Sequence, residues 1–201
     1  MSNDASKLAE SFQQWKFGAT KPRTTLMPKR KFEEFPDRNY SLKNYGAIKY
    51  LQHERQTFGI NLGWTDDATN ATGDRVSRFF VTRQGSEAGP VKYGELLAIG
   101  YGSVKPPYIR FEQRTVGINL GWSERPVFEW KILGGAIGQA VHTQDKVALY
   151  NTKSEDGEFL IFFDRSLGGD IGWPSSRTYT DRIKDMVGPA AKKAVMAYFG
   201  L

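Results

Sequence analysis

Cysteine is absent from this 201-residue chain. That removes disulfides, thiolate metal sites and a cysteine nucleophile in one step. It suits a reducing compartment, and a domain of this size needs no covalent staples. Histidine is nearly absent, with His53 and His142 the two present. No metal-ligand spacing, nucleophile elbow, phosphate loop or dinucleotide fingerprint occurs. The sequence therefore offers no catalytic residues, no cofactor and no metal site, and the expectation is a protein that is not an enzyme. No apolar run approaches the roughly 20 residues of a membrane helix. The opening segment, MSNDASKLAESFQQWKFG, lacks the apolar stretch of a secretory leader. Residence in the cytoplasm, or export without a signal peptide, is the expectation.

Hydrophobic residues make up 39% and aromatic residues 13% of the chain, which argues for a packed globular domain over disorder. The 21 glycines point to many tight turns and so to an all-β chain. The formal charge of +6 divides unevenly. Residues 1–40 hold 8 Lys and Arg against 5 Asp and Glu, and residues 175–201 hold 5 against 2, so each flank carries +3. Residues 41–174 hold 15 against 15. A nucleic-acid reader concentrates positive charge on its recognition surface, and the neutral centre argues against that function. Membrane contact is expected only through the basic flanks.

Internal repetition organises the centre. Gly59, Gly117 and Gly168 fall in one column. Before them stand Gln56-Thr57-Phe58, Arg114-Thr115-Val116 and Arg165-Ser166-Leu167. After them stand Ile60-Asn61-Leu62-Gly63-Trp64, Ile118-Asn119-Leu120-Gly121-Trp122 and Gly169-Asp170-Ile171-Gly172-Trp173. Upstream, Tyr50, Tyr108 and Phe159 align, then Leu51, Ile109 and Leu160, then His53, Phe111 and Phe162. With a one-residue gap, Val91-Lys92-Tyr93 matches Val141-His142-Thr143, and Leu97-Ala98-Ile99 matches Val147-Ala148-Leu149. Apolar alternation, as in Tyr108-Ile109-Arg110-Phe111, reads as strand. Each copy thus offers about four strands, and three copies predict twelve.

Repeat number, repeat length and strand pattern over roughly residues 41–182 resemble the β-trefoil superfamily. The resemblance implies an all-β fold with threefold pseudo-symmetry, divided at about 41–88, 89–138 and 139–182; a β-prism is the competitor. The Gln-x-Trp signature of ricin-B-type lectins is missing from all three Trp sites. Residues 1–40 are expected as an N-terminal arm, part helix and part extended, with a Lys29-Arg30-Lys31 cluster. Ile183, Val187, Ala191, Val195 and Phe199 recur every four residues and predict an amphipathic C-terminal helix over 183–201.

The repeated Gly, Asn/Asp and Trp columns carry the functional expectation. An amide or carboxylate fixes hydroxyls by directional hydrogen bonds, and a Trp face stacks on a sugar ring. The candidate ligand-binding residues are Arg114, Asn119 and Trp122 in the most complete copy, with Asn61 and Trp64 in the first and Arg165, Asp170 and Trp173 in the third. The same columns also suit barrel construction, since Asn and Asp tolerate left-handed turns and Trp fills core. His53, in a column of Phe, is expected in the core or barrel wall. The leading expectation is a lectin-like module for a glycan or glycoprotein. The alternative is a protein-binding module, a toxin or effector receptor-binding part or a hydrolase inhibitor, working through inter-repeat loops. The polar loop 65–77 favours that alternative.

Overall fold

The computed structural model describes residues 9, 12–18, 24–27, 39–56, 59–66, 78–85, 89–102, 104–114, 117–154, 157–162 and 170–174. They form an all-β protein of twelve antiparallel strands: β1 (Trp15–Gly18), β2 (Ser41–Asn44), β3 (Lys49–His53), β4 (Leu62–Thr65), β5 (Phe79–Arg83), β6 (Leu97–Tyr101), β7 (Tyr108–Phe111), β8 (Leu120–Ser123), β9 (Trp130–Leu133), β10 (Ala148–Asn151), β11 (Glu158–Phe162) and β12 (Ile171–Gly172).

Pairing repeats three times. Strands β1 to β4, β5 to β8 and β9 to β12 each form a four-stranded meander in which every strand pairs with the next. Three single bridges join the meanders head to tail. Tyr40, just before β2, bridges Phe79 of β5; Leu97 of β6 pairs with Trp130 of β9; Val147, just before β10, bridges Trp15 of β1. The sheets therefore curl into a ring β1–β2–β5–β6–β9–β10, from which the hairpins β3–β4, β7–β8 and β11–β12 extend. Closure leaves the ring strands no open edge.

A second, smaller ring lies between the copies. The N–H of Leu26 donates to the carbonyl of Val141 at 2.9 Å, that of Val141 to Val91 at 2.8 Å, and that of Val91 back to Leu26 at 2.9 Å. All three side chains are fully buried. Each copy contributes one residue to this cycle, so the first copy begins well before residue 41.

From sequence, residues 1–40 are expected to lie outside the repeat as an arm. The described part of that segment instead supplies ring strand β1 and the core residues Trp15, Phe17 and Leu26. The difference has a simple cause. Leu97 lies six positions after Val91 and Val147 six after Val141, but Tyr40 lies fourteen after Leu26. The extra length hides the first copy's beginning from alignment. The Lys29-Arg30-Lys31 cluster, most of the loop 65–77 and the C-terminal helix expected over 183–201 lie outside the described residues.

The strand patterns direct the core. In β1 the inward residues are Trp15 and Phe17, and Lys16 turns out. The indole N–H of Trp15 donates to the Leu160 carbonyl at 2.8 Å, and that of Trp130 to the Ile109 carbonyl at 3.0 Å. Leu160 and Ile109 share one repeat column, so the two bonds are threefold equivalents that tie adjacent copies together. Phe79 holds the corresponding place in the second copy and fills it without a donor.

Candidate functional site

The three repeated tryptophans pack inward, each against another copy. Trp64 meets Phe162 at 5.0 Å between ring centres, Trp122 meets His53 at 6.2 Å, and Trp173 meets Phe111 at 6.4 Å. First touches third, second touches first, and third touches second. Trp173 is buried, and Trp64 and Trp122 are half-buried against the main core. Further stacking joins Trp64 to Trp15 at 5.8 Å and Trp173 to Trp130 at 6.1 Å. These rings fasten the copies together.

The asparagines close their own loops. The side-chain carbonyl of Asn61 accepts the backbone N–H of Gln56 at 3.1 Å, and that of Asn119 accepts the N–H of Arg114 at 3.0 Å. Such local side-chain-to-backbone bonds build turns. Gly59 and Gly117, with φ of +84° and +90°, complete the same loops in a conformation that favours glycine. Asp170 occupies the third place in the column, and its partner by analogy, Arg165, lies outside the described residues.

Arg114, Asn119 and Trp122 do not converge on one ligand position. A Cβ on Gly121 would run into the Glu112 carboxylate and lie 3.2 Å from Nη2 of Arg114. Glu112 and Arg114 therefore cover the Gly121 face of β8. Trp122, the next residue, points to the opposite face. Glu112 further holds Arg114 at 3.1 Å and Arg110 at 2.7 Å, so the Arg114 charge is partnered within the protein.

Two titratable groups sit inside this construction. Oε1 of Glu129 accepts Asn151 Nδ2 at 2.9 Å and also the backbone N–H of Phe111. Burial pushes its carboxyl above the ordinary value, outweighing those hydrogen bonds and the nearby Arg110 and Lys153 charges. In the first copy the equivalent place is held by neutral Gln14, whose Oε1 accepts the N–H of Phe162 at 3.2 Å. The Glu129 carboxyl thus does the work of an amide. His53, among Tyr101 and Trp122, has its pKa lowered by burial. Among the described residues no three of His, Asp and Glu gather as a metal site, and no helix is long and apolar enough to cross a membrane.

A groove that sequence reasoning missed belongs to the second copy. Apolar Phe80, Val104, Pro106, Pro107, Tyr108 and Pro126 line a groove of about 650 Å³, together with Thr82, Gly102, Lys105, Glu124 and Arg125. The tip of the Phe80 ring covers Gly100, where any Cβ would collide with it, and the ring meets Tyr108 edge-on at 5.5 Å. Its threefold equivalents, one residue after Trp15 and Trp130, are Lys16 and Lys131. The signal was legible: Phe79-Phe80 breaks the alternation of β5 and puts an aromatic residue on the outward face. Compared with protein-family models, with curated proteins and with solved structures, the chain matches none.

Proposed function

We propose that the chain is a β-trefoil recognition module that holds a segment of a protein partner in the groove of its second copy. The closed ring of six strands with three attached hairpins supports the architecture. The groove carries the functional reading, because the second copy alone has an aromatic residue, Phe80, where the others have Lys16 and Lys131, and adds Lys105-Pro106-Pro107 beside it.

Its chemistry favours a side chain over a sugar. A sugar presents many hydroxyls, each needing a directional partner. Three of the lining residues are prolines, which have no N–H to offer, and Phe80, Val104 and Tyr108 add aromatic and aliphatic surface. A bulky apolar residue from a partner fits such a lining. Among the described residues the side chains of Lys105, Glu124 and Arg125 make no ion pair, leaving two cations against one anion in the lining. That balance suits an acidic residue beside the apolar anchor. A lectin-like role through Asn61, Asn119, Asp170, Trp64, Trp122 and Trp173 has less support, since the indoles pack on the core and the amides of Asn61 and Asn119 close loops.

A random-peptide display library selected on the chain tests the reading. The expected peptides pair an aromatic or branched aliphatic residue with Asp or Glu. They should lose about tenfold in affinity on Arg125→Glu, an exposed change that leaves Tm unaltered, and more on Val104→Asp. No enriched peptide, or peptides indifferent to both substitutions, would overturn it. So would glycan-array binding that survives both.

A further inference from the structure

The outer face of the first copy carries a row of like charges that folding does not require. Lys16 of β1 stands directly opposite Lys43 of β2, and Tyr50 of β3 is the next residue across the sheet. Like charges opposite one another weaken an antiparallel pair. Lys146 joins the group from the third copy. Its Nζ lies 4.6 Å from the centre of the Tyr45 ring, and that of Lys16 lies 4.2 Å from the same ring. Lys43 lies 5.1 Å from the Tyr50 ring. Among the described residues Lys16, Lys43 and Lys146 make no ion pair.

The turn between β2 and β3 adds an independent oddity. Ile48 is 67% exposed and has φ of +59°. A β-branched residue is strained in that region, which Gly or Asn enters at little cost. Tyr45, in the same turn, is 46% exposed. An apolar tip held in a strained conformation, with ammonium groups around it, answers no need of the core.

We propose that this face docks on an anionic lipid surface. Ile48 and Tyr45 enter the headgroup region, and Lys16, Lys43 and Lys146 meet the lipid phosphates and carboxylates. Nucleic acid is a poorer fit, because base stacking needs free aromatic faces and both tyrosine rings already carry an ammonium group. The contact differs from one made by basic flanks: Lys16 apart, its residues belong to the electrically neutral centre of the chain.

Co-sedimentation of the full chain with vesicles is the test. Vesicles of phosphatidylcholine with about a third phosphatidylserine should bind the chain, pure phosphatidylcholine should not, and salt should weaken the binding. The double substitution Lys16→Gln, Lys43→Gln should reduce partitioning roughly 25-fold. Ile48→Asn should reduce it roughly tenfold while raising Tm, because the strain is relieved. A purely structural role for Ile48 would move Tm alone. The proposal is overturned if serine-containing vesicles do not bind, if both variants partition like the unaltered chain, or if a single-stranded oligonucleotide binds in place of vesicles.

Discussion

At the scale of single residues, two charge states oppose the packing around them, with opposite pH signatures. Glu129 has its carboxyl raised by burial. Its folded form therefore holds the proton more tightly than the unfolded chain, and stability falls as pH rises from the unfolded value through the folded one. Glu129→Gln copies the amide that Gln14 supplies in the first copy. It is expected to raise Tm at neutral pH and leave it unchanged below the ordinary carboxylate range; an equal shift at both ends would contradict the assignment. His53 behaves in reverse. Burial lowers its pKa, so the folded state resists protonation and stability is lost as pH falls from the ordinary value of 6.5 through the lowered one. His53→Phe restores the aromatic type that Phe111 and Phe162 have in this column. Thermal melts between neutral pH and pH ~5 should show its advantage over the unaltered chain growing as pH falls. The aromatic character of position 53 was readable from the repeat; the demand on Glu129 was not, because Gln14 lay outside the aligned copies.

At the scale of elements, the strands were legible where apolar alternation was clean, and the repeat count rested on them. Strands β3, β7 and β11 run through the aligned columns Leu51, Ile109 and Leu160. Strand β1 was hidden for a physical reason: four residues carry little periodicity, and the long connection from Leu26 to Tyr40 breaks the spacing seen in the other copies. The orientation of the Trp column was equally closed to sequence. Strand alternation says that Gly121 and Trp122 face opposite ways, but only the Glu112 and Arg114 side chains over Gly121 fix which way is in. The cyclic hydrogen bonds of Leu26, Val91 and Val141 make the buried N-terminal segment part of the fold. Leu26→Ala is accordingly expected to lose about 2–5 kcal/mol in urea unfolding. An arm lying outside the core would lose less than about 0.5 kcal/mol.

At the scale of the whole molecule, the proposed reading separates threefold repetition from function. Residues shared by the copies build the ring: the Trp contacts between copies, the asparagine-closed loops and the indole-to-carbonyl bonds. The binding surfaces we propose are features that single copies own: the Phe80 groove of the second and the lysine-rich face centred on the first. Composition anticipated an all-β chain without disulfides. It could not anticipate the charged face, because Lys16, Lys43 and Lys146 gather only once the ring closes, and the charges of Lys43 and Lys146 cancel in a count over the centre of the chain. Amide and indole chemical shifts, followed while a groove-selected peptide is titrated into the labelled chain, test the central claim most directly. Shifts are expected at Thr82, Gly102, Val104, Tyr108 and Arg125, with the indole signals of Trp64, Trp122 and Trp173 unmoved. Movement of those three indoles without change at the groove would contradict the account.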